Sequence, residues 1–334
     1  MARREHTQHN QTDKRKHASA SAGRREKPTE AGRRNDHARA ERDAAPKRAP
    51  MTFTASGTAA RDWALPVAVS VETEAQLAEV LKHDAVALVY LDEACFTDFA
   101  AAIRRVHAAG KQAGLRLRRI ERDFDANGRK AENSAELLSG LWKAERLPDA
   151  LLVRNLDEAM LLADFFGAHP ELGARIRRNF DYTVYGYNQE AIQALVSLGA
   201  DGLTYPIELT YHECRKLKSE LPFELMIYGH LPMMVSANCI QRTSARCDHG
   251  NRILELRDRM GKDMPVRCYC TYCYNQIFNA EPLVLYDLPD EVRALQPQCL
   301  RYDFSVESAA VVRQVLEGAV PRSMTRGHFR HGIE

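Results

Sequence analysis

From Pro66 onward, short β-branched and apolar runs alternate with Ala-, Leu- and Glu-rich stretches. This is the pattern of repeated βα units. It predicts eight strands: Val67–Val71, Ala87–Leu91, Leu115–Ile120, Ala150–Val153, Asn179–Tyr185, Gly202–Tyr205, Glu224–Tyr228 and Leu300–Phe304. Helices fit between most of them. One runs over Glu74–Lys82 with Thr73 as its N-cap. Two more, Ala100–Ala109 and Asp157–Phe166, stop at Gly110 and Gly167, where glycine suits a helix C-terminus. A fourth, Gln189–Leu198, turns into the next strand through Gly199-Ala200-Asp201-Gly202. Eight parallel strands with intervening helices predict an α/β fold, a TIM-like (β/α)8 barrel. An open doubly wound sheet is the rival, but no strand is followed by G-x-G-x-x-G or a Walker loop.

One interval breaks the rhythm. About seventy residues (roughly 230–298) separate the seventh strand from the eighth, far more than an ordinary connection. Barrel enzymes build their sites on loops at the C-terminal ends of strands, so this insertion belongs to the working face.

Five of the eight cysteines fall in the insertion: Cys239, Cys247, Cys268, Cys270 and Cys273. The C-x-x-C of Cys270 and Cys273 can aim two thiolates at one centre from a single turn. Cys239 and Cys247 can complete a tetrahedron. Four thiolates suit a structural zinc or a 4Fe-4S cluster, and spacing does not choose between them. Cys268 could replace one of the four, and Cys299, just before the last strand, could be a remote ligand. Cys95 and Cys214 lie in helix-forming segments and read as ordinary core or surface thiols.

Charge is distributed unevenly. Residues 1–50 hold fourteen Lys/Arg against seven Asp/Glu, and the remaining chain has 33 against 38. The first fifty contain no Val, Ile, Leu, Phe, Tyr or Trp, too little apolar surface to offset the entropy of ordering. Residues 1–60 are therefore expected to be a disordered basic tail, with residues 61–334 forming the barrel. The tail is either an electrostatic arm for nucleic acid or a variable extension, with Met51 an alternative start. No apolar run approaches the ~18 residues of a membrane helix, and no signal-like apolar segment opens the chain. A cytoplasmic protein without a membrane partner is expected, its thiols serving metal or redox chemistry rather than disulfides.

The run ELMIYGHLPMMVSANCIQRTS, followed by LELRDRMGKDMPV, CTYCYNQIFNAEPLVL and LRYDFSVES, resembles the U-32 peptidase family, the collagenase-like peptidases. The resemblance extends upstream through FDYTVYGYNQEAIQALVSLGADGLTYPIELTYHE and covers roughly residues 65–320. It is closest to the C-terminal half of the longer members. It implies a TIM-like barrel carrying an oxygen-sensitive 4Fe-4S cluster on four cysteines, matched here by Cys239, Cys247, Cys270 and Cys273. Several members are associated with oxygen-independent hydroxylation of cytidine or uridine in ribosomal or transfer RNA, or of the ubiquinone ring. Prephenate is implicated as hydroxyl donor in the RNA cases. Other branches space their cysteines differently, which keeps Cys268 and Cys299 as alternatives. The usual N-terminal segment of the family is missing, so a partner chain of the same family is also implied.

Further candidates lie near the strand ends. Alternation along the fifth strand puts Asn179, Asp181, Thr183 and Tyr185 on one face, which makes Asn179, Asp181, Tyr185 and Asn188 either substrate contacts or an internal hydrogen-bond layer; Asp181, with Glu208 and His230, is also a catalytic candidate. Glu208 is either a ligand-orienting carboxylate or a helix-start residue. His230 is an acid/base candidate or a hydrogen-bond donor that positions the insertion. Arg257 and Arg259 suit phosphate or carboxylate, or an ion pair inside the insertion. Asn275 and Asn279 are expected to tie down the C-x-x-C turn, and Arg301 and Asp303 to reach the centre of the barrel face. The leading expectation is an iron–sulfur protein hydroxylating an RNA base or a ring substrate. A collagenase-like peptidase and a zinc-stabilised, non-catalytic scaffold are the alternatives. Against the peptidase, no Ser-His-Asp order, H-E-x-x-H motif or aspartate pair can be assembled.

Overall fold

The computed structural model describes residues 50–244, 247 and 249–332. Most of the basic tail lies outside the described residues. The tail does not extend to Ala60, however: Phe53–Ser56 form a strand, β1, that pairs antiparallel with the last strand of the chain. Phe53 packs against the main core, enough to hold the strand down.

Seven parallel strands follow: β2 (Val67–Val71), β3 (Val86–Asp92), β4 (Gln112–Arg116), β5 (Ala150–Val153), β6 (Arg177–Phe180), β7 (Gly202–Thr204) and β8 (Phe223–Gly229). After the insertion, whose strands are β9–β13, the eighth is β14 (Cys299–Asp303). It lies between β8 and β2, and the β7–β8 pairing closes the ring. All eight predicted strands are present, and the TIM-like (β/α)8 barrel is the observed architecture. The helices cover the outer face. They include α1 (Glu74–Val80), α2 (Phe99–Ala108), α3 (Ser134–Lys143), α4 (Leu156–Ala168), α5 (Pro170–Gly173), α6 (Gln189–Ser197) and α7 (Tyr211–Cys214). Thr73 caps α1 in a capping box with Gln76. Gly110 and Gly199 take the left-handed backbone that ends α2 and α6. Gly167 does not end α4, which continues to Ala168 and stops ahead of Pro170, because the residue before proline avoids helical backbone.

Strand alternation sorts the side chains into two sets. Val67, Val69 and Val71, Val89 and Leu91, Leu115, Leu151 and Val153 face the helices in the main core. The opposite parity faces the lumen. Its lower layer is a small apolar cluster of Ala68, Leu88, Tyr90, Ala150 and Leu152, with Cys299 packed against it. Its upper layer is charged.

The insertion folds as a separate antiparallel sheet of β9 (Pro232–Ser236), β10 (Ile253–Arg257), β11 (Asp263–Tyr269) and β12 (Tyr274–Phe278), in the order β10-β11-β12-β9. A short helix, α8 (Ile240–Ser244), leaves β9. The chain returns through β13 (Leu283–Val284), which pairs with β8, and through α9 (Pro289–Ala294). After β14 come α10 (Ala309–Leu316) and β15 (Ala319–Pro321), the partner of β1.

Candidate functional site

Two groups of side chains stand out at the C-terminal end of the barrel. The first is an ion chain that fills the lumen. Arg301 donates to Asp181 and to Glu224, each at 2.6 Å. Asp181 lies 3.7 Å from Arg154, and Arg154 lies 3.6 Å from Asp92. Asp92 is 3.4 Å from Arg116, which also donates to Glu72 at 2.9 Å. Asp303 joins through Ser70 at 2.7 Å and Arg116 at 3.4 Å. The last link leaves the barrel: Glu72 accepts from Arg267 of the insertion at 2.7 Å and from the Tyr269 hydroxyl at 3.0 Å. Arg116, Arg154 and Arg301 are among the largest fully buried side chains. Burial pushes Asp92 up to about 6, helped by the Glu72 charge and opposed by Arg116 and Arg154. Asp303 is held below its ordinary range because Arg116, Arg301 and the Ser70 hydroxyl outweigh its burial.

The insertion closes over this chain. Tyr269 and Tyr274 stack with ring centroids 4.8 Å apart and pack on Ala94 with Cys95, Ile120 and Tyr272 around them. The guanidinium of Arg118 lies 4.4 Å from the Tyr272 ring centre, and Ala126 donates its N–H to the Thr271 carbonyl at 2.7 Å. Around Arg118 gather Glu93 (2.9 Å) and Glu121 (3.0 Å). With one guanidinium between them and little water, burial raises Glu93 to about 7, and Glu121 adds to the shift.

The second group is the thiols. β11 and β12 form a hairpin whose closing pair is Tyr269 opposite Tyr274. Cys270 and Cys273 are therefore the first and last residues of its four-residue loop, and Cys273 takes the left-handed backbone (φ 56°) that turns the chain back. Hydrogen bonds draw the other thiol segments to this tip. The Cys270 N–H donates to Asn251 Oδ1 (2.7 Å) and the Cys268 N–H to the Arg252 carbonyl (2.9 Å), both just beyond Cys247. Asn275 Nδ2 donates to the Asn238 carbonyl (3.1 Å), one residue before Cys239. Cys270 Sγ lies 3.0 Å from the Gly250 carbonyl. The thiols feel one another. Cys268 is pushed up to about 11 by burial and by the charges of Cys239 and Cys247. Cys270 is pushed up to about 12 by burial and by Cys268, Cys247, Cys239 and Cys273. A donor set of five thiols that repel one another's charge fits a soft metal centre in its chemistry. Among the described residues, though, no three His, Cys, Asp or Glu side chains stand at metal-ligating separation.

The other thiols sit elsewhere. Cys299 packs on the lower lumen cluster, Cys214 is buried on α7, and Cys95 lies 3.8 Å from Glu72 beneath the insertion. Burial raises the pKa of all three.

The remaining candidates divide among three places. Asn179, Asp181, Arg301 and Asp303 share the lumen, Asn179 donating to Thr204 at 3.1 Å. The fifth strand ends earlier than its alternation predicts. Asp181 accepts from the Tyr182 N–H and the chain turns into a 3-10 segment, Tyr182–Val184. Thr183 and Tyr185 therefore do not continue the strand face. Tyr185 is left-handed (φ 62°) and about half exposed, with Arg119 donating to its hydroxyl at 3.3 Å. Its ring packs edge-on to Tyr187, whose hydroxyl donates to Glu208. Glu208 does not start a helix; Thr210 caps α7 with Glu213. Asn188 is the N-cap of α6. His230 is buried at the root of the insertion, its Nδ1 2.8 Å from the Asn279 carbonyl and its Nε2 3.8 Å from Glu307. It ties the two ends of the insertion together. Arg257 forms a two-pronged pair with Asp263 (2.7 and 2.8 Å) across the exposed β10–β11 hairpin, and Arg259 is exposed at its tip. Neither faces the lumen or the thiols' hairpin.

Glu72, Asp92, Arg116, Arg154 and Arg267 were not singled out by the sequence reading. The available signal was a charged residue closing an apolar strand in lumen parity, as in VALVYLD, QAGLR and ALLVR.

No protein-family model and no curated protein matches the chain. Similar solved structures include the U32 peptidase Mk0906, 9% identical, covering 78% of this chain and 99% of its own, with a TM-score of 0.43. The spore cortex-lytic enzyme SleL of Bacillus cereus is 8% identical over 79% of this chain and 76% of its own, with a TM-score of 0.38. A glycerol uptake operon antiterminator regulatory protein of Listeria monocytogenes is 13% identical over 49% and 80%, with a TM-score of 0.33. At these scores the likenesses carry no conclusion about activity or ligands.

Proposed function

We propose that the chain is an iron–sulfur protein of the U-32 type, whose hairpin-tip thiols hold a 4Fe-4S cluster and whose barrel rim serves oxygen-independent hydroxylation of an RNA base or a ring substrate. The observation that carries this reading is that Cys270 and Cys273 bound the loop of one hairpin, hydrogen-bonded to Asn251 and Asn238 in the segments that carry Cys247 and Cys239. Cys239, Cys247, Cys270 and Cys273 would be the ligands, with Cys268 as the alternative thiol. A bound cluster supplies one-electron redox chemistry, its potential set by hydrogen bonds and solvent access. The chain's own residues supply the surroundings. Arg252 and Arg267 place positive charge near Cys268. The buried Tyr269 and Tyr274 rings stack at the base of the thiols' hairpin. On the rim, exposed Tyr185, edge-on Tyr187 and Arg119 offer a ring face and a cation to an unstacked base, and Glu208 holds the Tyr187 hydroxyl.

The test is mass spectrometry of nucleosides from ribosomal and transfer RNA of cells with and without the gene. A hydroxylated pyrimidine that disappears and returns with wild type, but not with Cys270→Ala or Tyr185→Ala, supports the RNA reading. Unchanged RNA together with a change in a hydroxylated quinone moves the substrate to a ring compound. No change in either contradicts hydroxylation.

A second reading, a zinc-stabilised non-catalytic scaffold, is favoured by the filled lumen, since the ion chain and tyrosine cap occupy the place where barrel enzymes bind substrate. The peptidase alternative requires an activated nucleophile. Cys95, Cys214, Cys268, Cys270 and Cys299 are all shifted upward by burial, the reverse of activation.

A further inference from the structure

The opposite end of the barrel, where strands begin, holds a pit of about 240 Å³. Side-chain volume is missing there for a specific reason. Gly114 lies under the Tyr90 ring, so close that a Cβ would stand 2.4 Å from it, and a Cβ on Gly202 would stand 2.6 Å from Asn179 Oδ1. These two glycines let Tyr90 and Asn179 lie across the lumen. The pit is lined by Tyr90, Asn179 and Glu224, with Leu88 and Cys299 at its wall and Arg177 at its mouth. At about 30 Å³ per water, the pit has room for roughly eight waters, or a compound of around ten non-hydrogen atoms.

Its polar groups are incompletely used. Tyr90 is fully buried and its hydroxyl has no hydrogen-bond partner among the described residues, an arrangement that is unfavourable when nothing fills it. Glu224 takes Arg301, Thr204 and Asn179 on one oxygen, Oε1. Its Oε2 takes no hydrogen bond from the described residues. Burial raises its pKa against the pull of Arg301. At the rim, Arg177 is exposed, forms no ion pair among the described residues, and projects positive charge onto Tyr90, Glu224 and Cys299. Arg301 faces Glu224 from above, and Arg177 at the mouth is the cation that an incoming carboxylate meets first.

We infer that this lower pit is a binding site for a small carboxylic acid with an apolar body, its carboxylate at Arg177 and its far end against Tyr90 and Glu224. Catalytic sites of barrel enzymes lie at the other end, so this is an effector or structural-ligand site, independent of the thiols. Glu224 is also the lower end of the ion chain that ends at Arg267 and Tyr269.

The probe is benzoate, with benzamide as its uncharged match, titrated by calorimetry into the full-length protein and its variants. Saturable benzoate binding is expected, with benzamide at least tenfold weaker. Arg177→Gln, on the exposed rim, abolishes that preference. Tyr90→Phe weakens 4-hydroxybenzoate, whose para hydroxyl reaches the Tyr90 hydroxyl, severalfold and leaves benzoate unchanged, with the unfolding midpoint unchanged or higher, because the lost hydroxyl had no partner; a purely structural tyrosine would lower it. Absence of saturable binding, binding indifferent to both variants, or a benzoate complex whose crystal structure places the ligand at the Tyr185 rim overturns the proposal.

Discussion

Arg301 enters the lumen from β14 and is held by two carboxylates, Asp181 and Glu224, with its side chain fully buried. A buried ion pair adds little net stability, but removing one partner strands the other in a place without water. Arg301→Met leaves two buried carboxylates facing each other. It is expected to lower unfolding free energy by about 3–5 kcal/mol in urea; a change below about 1 kcal/mol would mean the chain is hydrated. Glu93 gives a pH signature. Its folded pKa is raised to about 7 by burial, against about 4.3 when unfolded. Its contribution to stability is therefore fully present below about pH 4.3 and is lost as pH rises through about 7. Wild type should therefore lose stability relative to Glu93→Gln, an uncharged isostere that does not titrate, as pH rises from 4.5 to 7.5. A wild type that holds or gains stability relative to Glu93→Gln over that range would contradict the burial of a carboxyl there. At this scale the sequence marked Asp181, Asn179, Arg301 and Asp303 but passed over Arg116 and Arg154, because a charge at a strand end looks like the start of a loop until its parity is read against seven other strands.

The β11–β12 hairpin joins the two candidate sites in one element. Its tip carries Cys270 and Cys273, while Arg267 and Tyr269, just before the tip, both reach Glu72 in the barrel. Breaking that attachment should loosen the cap before the barrel. Arg267→Met is expected to raise hydrogen exchange at residues 269–274 at least tenfold while β2 and β14 keep their protection. Equal loosening of both would show that cap and barrel unfold together. Element boundaries show where local pattern misleads. The third predicted strand, Leu115–Ile120, is found as β4 over Gln112–Arg116. Gly114 weakens the β pattern there and is needed to admit the Tyr90 ring. Arg118, which follows the strand, is fixed by Glu93 and Glu121 rather than by a ladder. The fifth strand is cut short at Phe180 by Asp181 capping Tyr182, a hydrogen bond invisible to alternation.

For the whole molecule, the eight-strand barrel and the insertion between its last two strands were legible because buried parallel strands read as apolar runs separated by helices. The separate sheet of the insertion was not. Its outer strands β9 and β10 are half-exposed, so they lack the apolar run that marks the barrel strands, and the thiol spacing suggests ligands before it suggests a hairpin. Composition bears on the tail: a chain beginning at Met51 keeps β1 and should unfold at the same urea concentration as the full chain, since residues 1–50 have almost no apolar surface to bury. A lower midpoint would show that the tail packs on the barrel. The central claim is that the insertion thiols hold an iron–sulfur cluster, and the most direct measurement is iron, sulfide and zinc per chain, with the visible spectrum, after anaerobic purification. About four irons and four sulfides with a broad band near ~400 nm, lost in Cys270→Ala or Cys273→Ala and kept in Cys95→Ala, are expected. One colourless zinc per chain, or no metal at all, would contradict it.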